Sequence, residues 1–425
     1  MARAELYEIE PRPSPRQPVV LAALEVPETD WEESLDELER LADTANGQVV
    51  GQLTQRRESP DPSTYFGKGK VEEIRQVVER TNASLLVIDG EISPSQQRNL
   101  EKILDIQVID RTGLILDIFA RRAHTAEGKL QVELAQLEYL LPRLANMWSH
   151  LERIRGGIGL RGPGETQIET DRRLVRNRIA QLKRKVEEIR HRRAVQRSQR
   201  AQSQIPLISL VGYTNAGKST LLNTISEAEV FVEDKLFATL DPTTRDVIFP
   251  NGTRALVSDT VGFIRNLPTQ LVAAFRSTLE EVLSADILVH VVDASNPGWV
   301  EQAETVDQVL AELGAADKPV IMAFNKMDQV EDPLLLKRLA TRYPYAVFLT
   351  ARKGEGMEEL EQEIITVLRS RWQDIHVRLP LSASQLVAEM HARGEIALED
   401  YAEDSVELVG RAPADLAARI MRHAI

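Results

Sequence analysis

IPLISLVGYTNAGKSTLLNTI, residues 205–225, decides the fold. Its apolar run 205–211 reads as a buried strand, and LLNTI as the opening of a helix. Between them Gly212, Gly217, Lys218 and Ser219 match G-x-x-x-x-G-K-[ST], with Tyr213, Thr214, Asn215 and Ala216 at the variable positions and Thr220 following. A turn of this kind points backbone N–H groups inward around phosphate oxygens, and the helix N-terminus behind it adds a favourable dipole. Lys218 is expected to reach the β- and γ-phosphates, and the Ser219 hydroxyl to ligate Mg²⁺. The stretch therefore implies an α/β nucleotide-binding domain.

Further motifs follow in the order a GTP-hydrolysing domain needs. ALVSDTVG places Asp259 at a strand end, with Thr260, Val261 and Gly262 behind it. Asp259 can hold the Mg²⁺ shell through water, and the Gly262 N–H can meet the γ-phosphate. VIMAFNKMD puts Asn325, Lys326, Met327 and Asp328 after another buried strand. A carboxylate at Asp328 accepts from guanine N1–H and the 2-amino group, donors that adenine lacks, so it selects GTP over ATP. The Lys326 stem can lie along the base plane, and Asn325 can tie loops together. VFLTARKG places Thr350, Ala351 and Arg352 where a backbone N–H can reach guanine O6.

DKLFATLDPTTRDVIF (234–249) lies between the phosphate loop and Asp259. A switch segment here should supply a threonine to Mg²⁺ when the γ-phosphate is present. Thr239, Thr243 and Thr244 all qualify on chemistry. Phe263 follows Gly262, so no amide side chain stands where Ras-type enzymes keep a water-orienting Gln. Slow hydrolysis is expected until a partner orders the switch segments, with Lys218, Gly262 and whichever threonine the switch supplies carrying the chemistry.

Outside this domain, alternating strand and helix patterns over residues 19–115 imply a small parallel α/β domain, after a polar, proline-bearing stretch 1–18. TYFGKGK (64–70) has Gly67, Lys68 and Gly69 but no strand-loop-helix match to a second phosphate loop. Over 116–203 two apolar seams run at the period of packed helices: Leu130, Leu134, Leu137, Leu141, Leu144, Trp148, and Val175, Ile179, Leu182, Val186, Ile189. They imply an antiparallel helical hairpin, with Pro142 bending or breaking the first helix. The joining loop, 154–169, carries Gly157, Gly159 and Gly162, a G-x-G-x-x-G without the required preceding strand. Arg155 and Arg161 there, and Arg153 just before it, could contact phosphate. The G domain is expected at 204–372, and a small C-terminal domain of unread function at 373–425.

The net charge of −13 argues at first against a nucleic-acid partner. It is an average. Residues 171–200 hold 12 Lys and Arg against 3 Asp and Glu, a net of +9 that leaves −22 elsewhere. So dense a basic run points to a polyanion. The absence of cysteine excludes disulfides and thiol chemistry. The start has no signal-peptide core, and no apolar run approaches a membrane span. A cytoplasmic location is expected, with any membrane contact peripheral only.

Beyond these shared motifs, TYFGKGK, VIDGEISPSQQRNLE, GIGLRGPGETQIETDRR and GYTNAGKST make the chain resemble the HflX family, GTPases of the Obg–HflX group. The resemblance covers about residue 19 to at least 372. It implies four parts: an N-terminal α/β domain, a helical hairpin, a G domain and a small C-terminal domain. It favours Thr239 within FATLD as the Mg²⁺ threonine, with Phe237, Ala238, Leu240 and Asp241 around the nucleotide. It implies Mg²⁺ and GTP/GDP as ligands, and a monomer that binds the large ribosomal subunit and the 70S ribosome. The hairpin loop would reach ribosomal RNA, and the role would be splitting or rescue of stalled or idle ribosomes under stress. The alternatives are a GTP-dependent assembly or RNA-modification factor on free rRNA, and a regulatory scaffold with negligible turnover.

Overall fold

The computed structural model describes residues 16–26, 30–147, 163–203, 205–226, 235–265, 281–330 and 332–425. The chain divides into two compact units, Met1–Arg121 with Ala135–Ile179, and Arg122–Leu134 with Ala180–Ile425.

In the first unit, β1 (Gln17–Glu25), β2 (Gly47–Arg56), β3 (Leu85–Asp89) and β4 (Gln107–Asp110) form a parallel sheet in the order β2-β1-β3-β4. Val19 to Leu24 are all buried, as expected of a parallel strand covered on both faces. The helix Trp31–Thr44 starts where Asp30 caps the Glu33 N–H. The helix Pro94–Leu104 starts at a reciprocal Ser93–Gln96 capping box with Pro94 in its first turn. Charged groups gather at the C-terminal ends of β3 and β4. Arg111, 3% exposed, pairs with Glu37 and with Asp89 at 2.9 Å, while Asp110 accepts from Tyr139 and Arg143, each at 2.9 Å. Around TYFGKGK the loop after β2 leads into the helix Lys68–Thr81, which starts three residues before the expected Val71, with Gly67 at its N-cap and Lys70 paired to Glu73.

The helix Ala126–Met147 continues through Pro142 rather than breaking. The helix Pro163–Ser203 starts inside the expected loop, because a proline is well suited to a first helical turn, where its missing N–H would have no partner. Of the two seams, Leu134, Ile179 and Leu182 are buried and Leu130, Leu137, Leu141, Leu144, Val175, Val186 and Ile189 half-buried. Trp148, Arg153, Arg155, Arg161 and the glycines 157, 159 and 162 lie outside the described residues.

In the second unit, β5 (Leu207–Val211), β6 (Thr243–Ile248), β7 (Arg254–Asp259), β8 (Ile287–Asp293), β9 (Val320–Asn325) and β10 (Val347–Phe348) form one sheet. Its order is β10-β9-β8-β5-β7-β6, with β6 antiparallel and the rest parallel. One face packs Ile208, Leu210, Val289 and Ile321 against Leu221 and Leu222 of the helix Lys218–Ile225 and Leu360 and Ile364 of the helix Met357–Ser370. The loops after β5, β7 and β9 thus emerge at the carboxyl edge of the sheet, where open α/β sheets bind ligands.

The C-terminal residues build their own layer. β11 (Gln373–Pro380), β12 (Glu395–Tyr401) and β13 (Ser405–Ala412) pair antiparallel in the order β11-β13-β12. The helices Ser384–Arg393 and Ala414–Arg422 contribute Met390, Leu416 and Ile420 to a core with Ile375, Leu379 and Leu408. The chain is therefore a multidomain α/β protein: a parallel-sheet N-terminal part, a helical region, a P-loop domain and a C-terminal sheet domain. No helix among the described residues is long and apolar enough to cross a membrane.

Candidate functional site

The phosphate loop leaves β5 and ends at Gly217, whose φ of +98° is left-handed and whose added Cβ would stand 2.2 Å from Asn325 Nδ2. No side chain caps the helix that follows, which leaves its first N–H groups to a ligand. Lys218 is 6% exposed and donates to the Gly212 carbonyl at 3.0 Å and the Tyr213 carbonyl at 2.7 Å. Burial pulls its pKa down to about 8, with the Asp259 carboxylate opposing. The ammonium is thus held at the loop by two carbonyls that a phosphate can replace.

Ser219, Thr239 and Asp259 meet although they come from three elements. Ser219 Oγ lies 2.7 Å from Thr239 Oγ1 and donates to Asp259 Oδ2 at 2.6 Å. Asp259 is 1% exposed, and burial raises its pKa, with Lys218 opposing first among the groups that lower it. Its Oδ1 is buried without a hydrogen-bond partner among the described residues. Two hydroxyls and a carboxylate with spare lone pairs fit a hard cation that takes the rest of its ligands from phosphate and water. No cluster of three His, Asp or Glu able to hold a metal occurs among the described residues. Thr243 and Thr244 stand instead in β6, where Thr244 donates to Ser258 Oγ at 3.3 Å.

Gly262 packs on the phosphate loop so closely that an added Cβ would sit 2.7 Å from Thr214 Cα and 3.1 Å from Lys218 Nζ. Its neighbours are stitched to that loop. Phe263 donates from its N–H to the Gly212 carbonyl at 3.1 Å and accepts from the Thr214 N–H at 2.7 Å. The Arg265 N–H donates to Tyr213 Oη at 2.7 Å, and Thr260 Oγ1 to the Leu210 carbonyl at 2.7 Å. Val261 is buried beside them. A cavity of about 50 Å³ opens here. Thr214, Asn215, Gly217, Lys218, Ser219, Thr220, Phe237, Ala238, Thr239, Thr260 and Gly262 line it, together with Lys235.

The residues around Asn325–Asp328 and Thr350–Lys353 form a second group. Asn325, 3% exposed, donates from Nδ2 to the Ala216 carbonyl at 2.8 Å and accepts from the Ala351 N–H at 3.0 Å. One side chain thus ties the phosphate loop to the Thr350–Arg352 triplet. Lys326 is left-handed, with φ of +62°, and its ammonium lies 2.7 Å from Asp293. The Met327 N–H donates to the Leu349 carbonyl at 3.3 Å. Asp328 Oδ2 lies 3.3 Å from Lys353 Nζ. Ala351 also accepts from Thr224 Oγ1 at 2.8 Å, and Arg352 is exposed.

Three expectations change. Asp241 does not turn its carboxylate to the cavity; it accepts from the His124 and Thr125 N–H groups at 2.9 Å each and from the Thr125 hydroxyl. Those donors form the start of the helix Ala126–Met147, and a carboxylate is favoured at such donors. Leu240 is 3% exposed and belongs to the apolar interior. The Thr350 and Ala351 N–H groups are already engaged, by the Glu355 carbonyl and by Asn325, so a guanine O6 must share or displace one of them or use Arg352. Lys235, Asp293 and Lys353 escaped the reading from sequence. Lys353 follows the triplet directly, which was the one local signal; Asp293 is found only through its register beside Asn325.

Known proteins resemble this chain. Residues 32–120 match the family model described as GTP-binding GTPase N-terminal, 122–200 that described as GTP-binding GTPase Middle Region, and 207–326 that described as 50S ribosome-binding GTPase. A protein named GTPase HflX from Lacrimispora saccharolytica is 45% identical over 421 residues, 99% of this chain and 98% of its own. GTPase HflX of Escherichia coli K12 is 46% identical over 383 residues, 90% of each chain. A crystal structure of a Sulfolobus solfataricus GTP-binding protein in complex with GDP matches 83% of this chain and 98% of that one, at 26% identity and a TM-score of 0.44. With near-complete coverage at such identity, and a phosphate loop built as described, the chain belongs to the HflX family of GTPases and is a GTP hydrolase.

Proposed function

We propose that the protein is a Mg²⁺-dependent GTPase that binds the large ribosomal subunit and the 70S ribosome and splits or rescues stalled or idle particles. The observation that carries the nucleotide half is the meeting of Ser219, Thr239 and Asp259 beside the buried Lys218. Mg²⁺ bound there would neutralise charge on the β- and γ-phosphates. Lys218 exchanges its two carbonyl acceptors for phosphate oxygens, which gives a buried ammonium a stronger partner. The Gly262 N–H meets the γ-phosphate. Asp328 reads the guanine edge, sharing its carboxylate with Lys353, and Asn325 holds base loop and phosphate loop in register.

The side chain after Gly262 is Phe263, 2% exposed, so none at that position orients the attacking water. Slow turnover alone, raised by a ribosomal partner, follows from this. The ribosomal half rests on the family and on the basic helix. Between 172 and 192, Arg173, Arg176, Arg184, Lys185 and Arg192 are exposed beside the buried Ile179 and Leu182. An exposed basic face on a chain that is otherwise acidic suits a phosphate backbone and limits binding elsewhere. The functional parts are read as 1–18, 19–115, 116–203, 204–372 and 373–425, the protein as a monomer and the location as cytoplasmic.

Sedimentation with purified 70S, 50S and 30S particles under GTP, GDP and a non-hydrolysable analogue tests this. Pelleting with 50S and 70S in the analogue state, with loss of the 70S peak, is expected. Pelleting only with precursor particles or free rRNA would replace the reading by an assembly role.

A further inference from the structure

We infer that Asp241 is a positioning residue for Thr239, and that it ties the nucleotide state of the switch segment to the N-terminus of the helix Ala126–Met147. The inference rests on the reading of Thr239 as the residue that answers to the γ-phosphate and Mg²⁺. Thr239 Oγ1 lies 2.7 Å from Ser219 Oγ. Two residues on, the Asp241 carboxylate accepts the His124 and Thr125 N–H groups at 2.9 Å each and the Thr125 hydroxyl. Two residues of chain reach no further than about 7 Å, so the two anchors cannot move independently. Leu240, 3% exposed, buries the residue between them.

The far anchor is a built contact. Thr125 Oγ1 accepts the Gly128 N–H at 2.9 Å while donating to Asp241, so the threonine caps the helix and the carboxylate completes the cap. Gly128 allows the approach: a Cβ there would stand 2.4 Å from Asp241 Oδ1. When Thr239 leaves the phosphate side, the carboxylate must pull away from the helix start or drag it along. By linkage the reverse holds equally: a force on the helix start changes the affinity of the switch for its nucleotide.

The test uses the full chain and four variants: Asp241→Ala, Asp241→Asn, Thr125→Ala and Asp241→Ala/Thr125→Ala, with Thr239→Ala alongside. The readouts are the ratio of GDP to non-hydrolysable GTP analogue dissociation constants, the Mg²⁺ dependence of analogue binding, and the unfolding midpoint. Asp241→Ala and Thr125→Ala are each expected to shrink the preference for the analogue by about fivefold or more, within the usual range of coupling. The double variant should do no more than either single one, and Asn, which can still accept the N–H groups, should restore most of the preference. A lowered unfolding midpoint with an unchanged analogue-to-GDP ratio in all Asp241 and Thr125 variants overturns the coupling. If Thr239→Ala itself leaves analogue binding and its Mg²⁺ dependence unchanged, the reading of Thr239 fails first.

Discussion

Asn325→Ala is the sharpest probe of how the nucleotide site is held. The side chain is 3% exposed and makes two hydrogen bonds, to the Ala216 carbonyl at 2.8 Å and from the Ala351 N–H at 3.0 Å. Truncation leaves both backbone partners buried and unpaired. Each such group costs about 1–3 kcal/mol, less where water can reach it. Water entering the space that the amide leaves relieves part of that cost, and a net loss of about 2–3 kcal/mol is expected. If the loss falls on binding, it corresponds to about 30- to 150-fold in Kd. GTP and GDP should suffer alike, because neither bond involves the γ-phosphate. Titration with fluorescent GTP and GDP analogues measures this directly. Asn325→Asp gives a second reading: it keeps an acceptor for Ala351 but sets a charged oxygen against the Ala216 carbonyl, so it should bind no better than Ala. Unchanged affinities in either variant, in protein that unfolds normally, would refute the claim that Asn325 couples the two loops.

Three further outcomes are expected. His290 is 1% exposed, and burial first, then the charge of Lys218, lowers its pKa to about 4. The unfolded chain therefore takes up a proton before the folded one, so stability present above about pH 6.5 is lost as pH falls toward 4, by up to about 3 kcal/mol. Urea unfolding at neutral and acid pH should show a flatter pH dependence in His290→Met, and an identical one would exclude His290 as the cause. Asp328→Asn should lower GTP affinity with the fold intact, since the carboxylate acceptor for two guanine donors is gone; an unaltered titration would contradict base selection by Asp328. Neutral replacements at Arg173, Arg176, Arg184 and Lys185 should weaken ribosome binding and reduce its salt slope by about one for each phosphate contact removed, and an unchanged salt titration would remove this helix from the interface.

Much of the domain was legible from short strings because each encodes a local backbone conformation. The apolar run to Val211, the glycine at 217 and the helix formers after Lys218 specify strand, left-handed turn and helix within a few residues. Repeating that reading around Asp259, Asn325 and Thr350 gave the strand ends in order. The first unit was readable for the same reason, through alternation and caps such as Ser93–Gln96. The weaker expectations concerned places where two local rules compete. A helix-breaking proline lies within the otherwise helical pattern of Ala126–Met147, and the helix that starts at Pro163 takes in Gly164 and the end of the expected loop.

The sequence by itself determined which groups the protein carries: a phosphate loop, a carboxylate at Asp328 behind a buried strand and a basic helix, all written in residues that are neighbours along the chain. Only the tertiary structure decided which oxygen meets which hydrogen. Thr239 lies against Ser219 while Thr243 and Thr244 stand in β6, and Lys353 meets Asp328. Asp241 turned from the nucleotide to a helix start 116 residues earlier. The reason is physical: local sequence fixes φ and ψ, whereas a carboxylate goes to whichever donors packing brings within reach, and no spacing along the chain announces those.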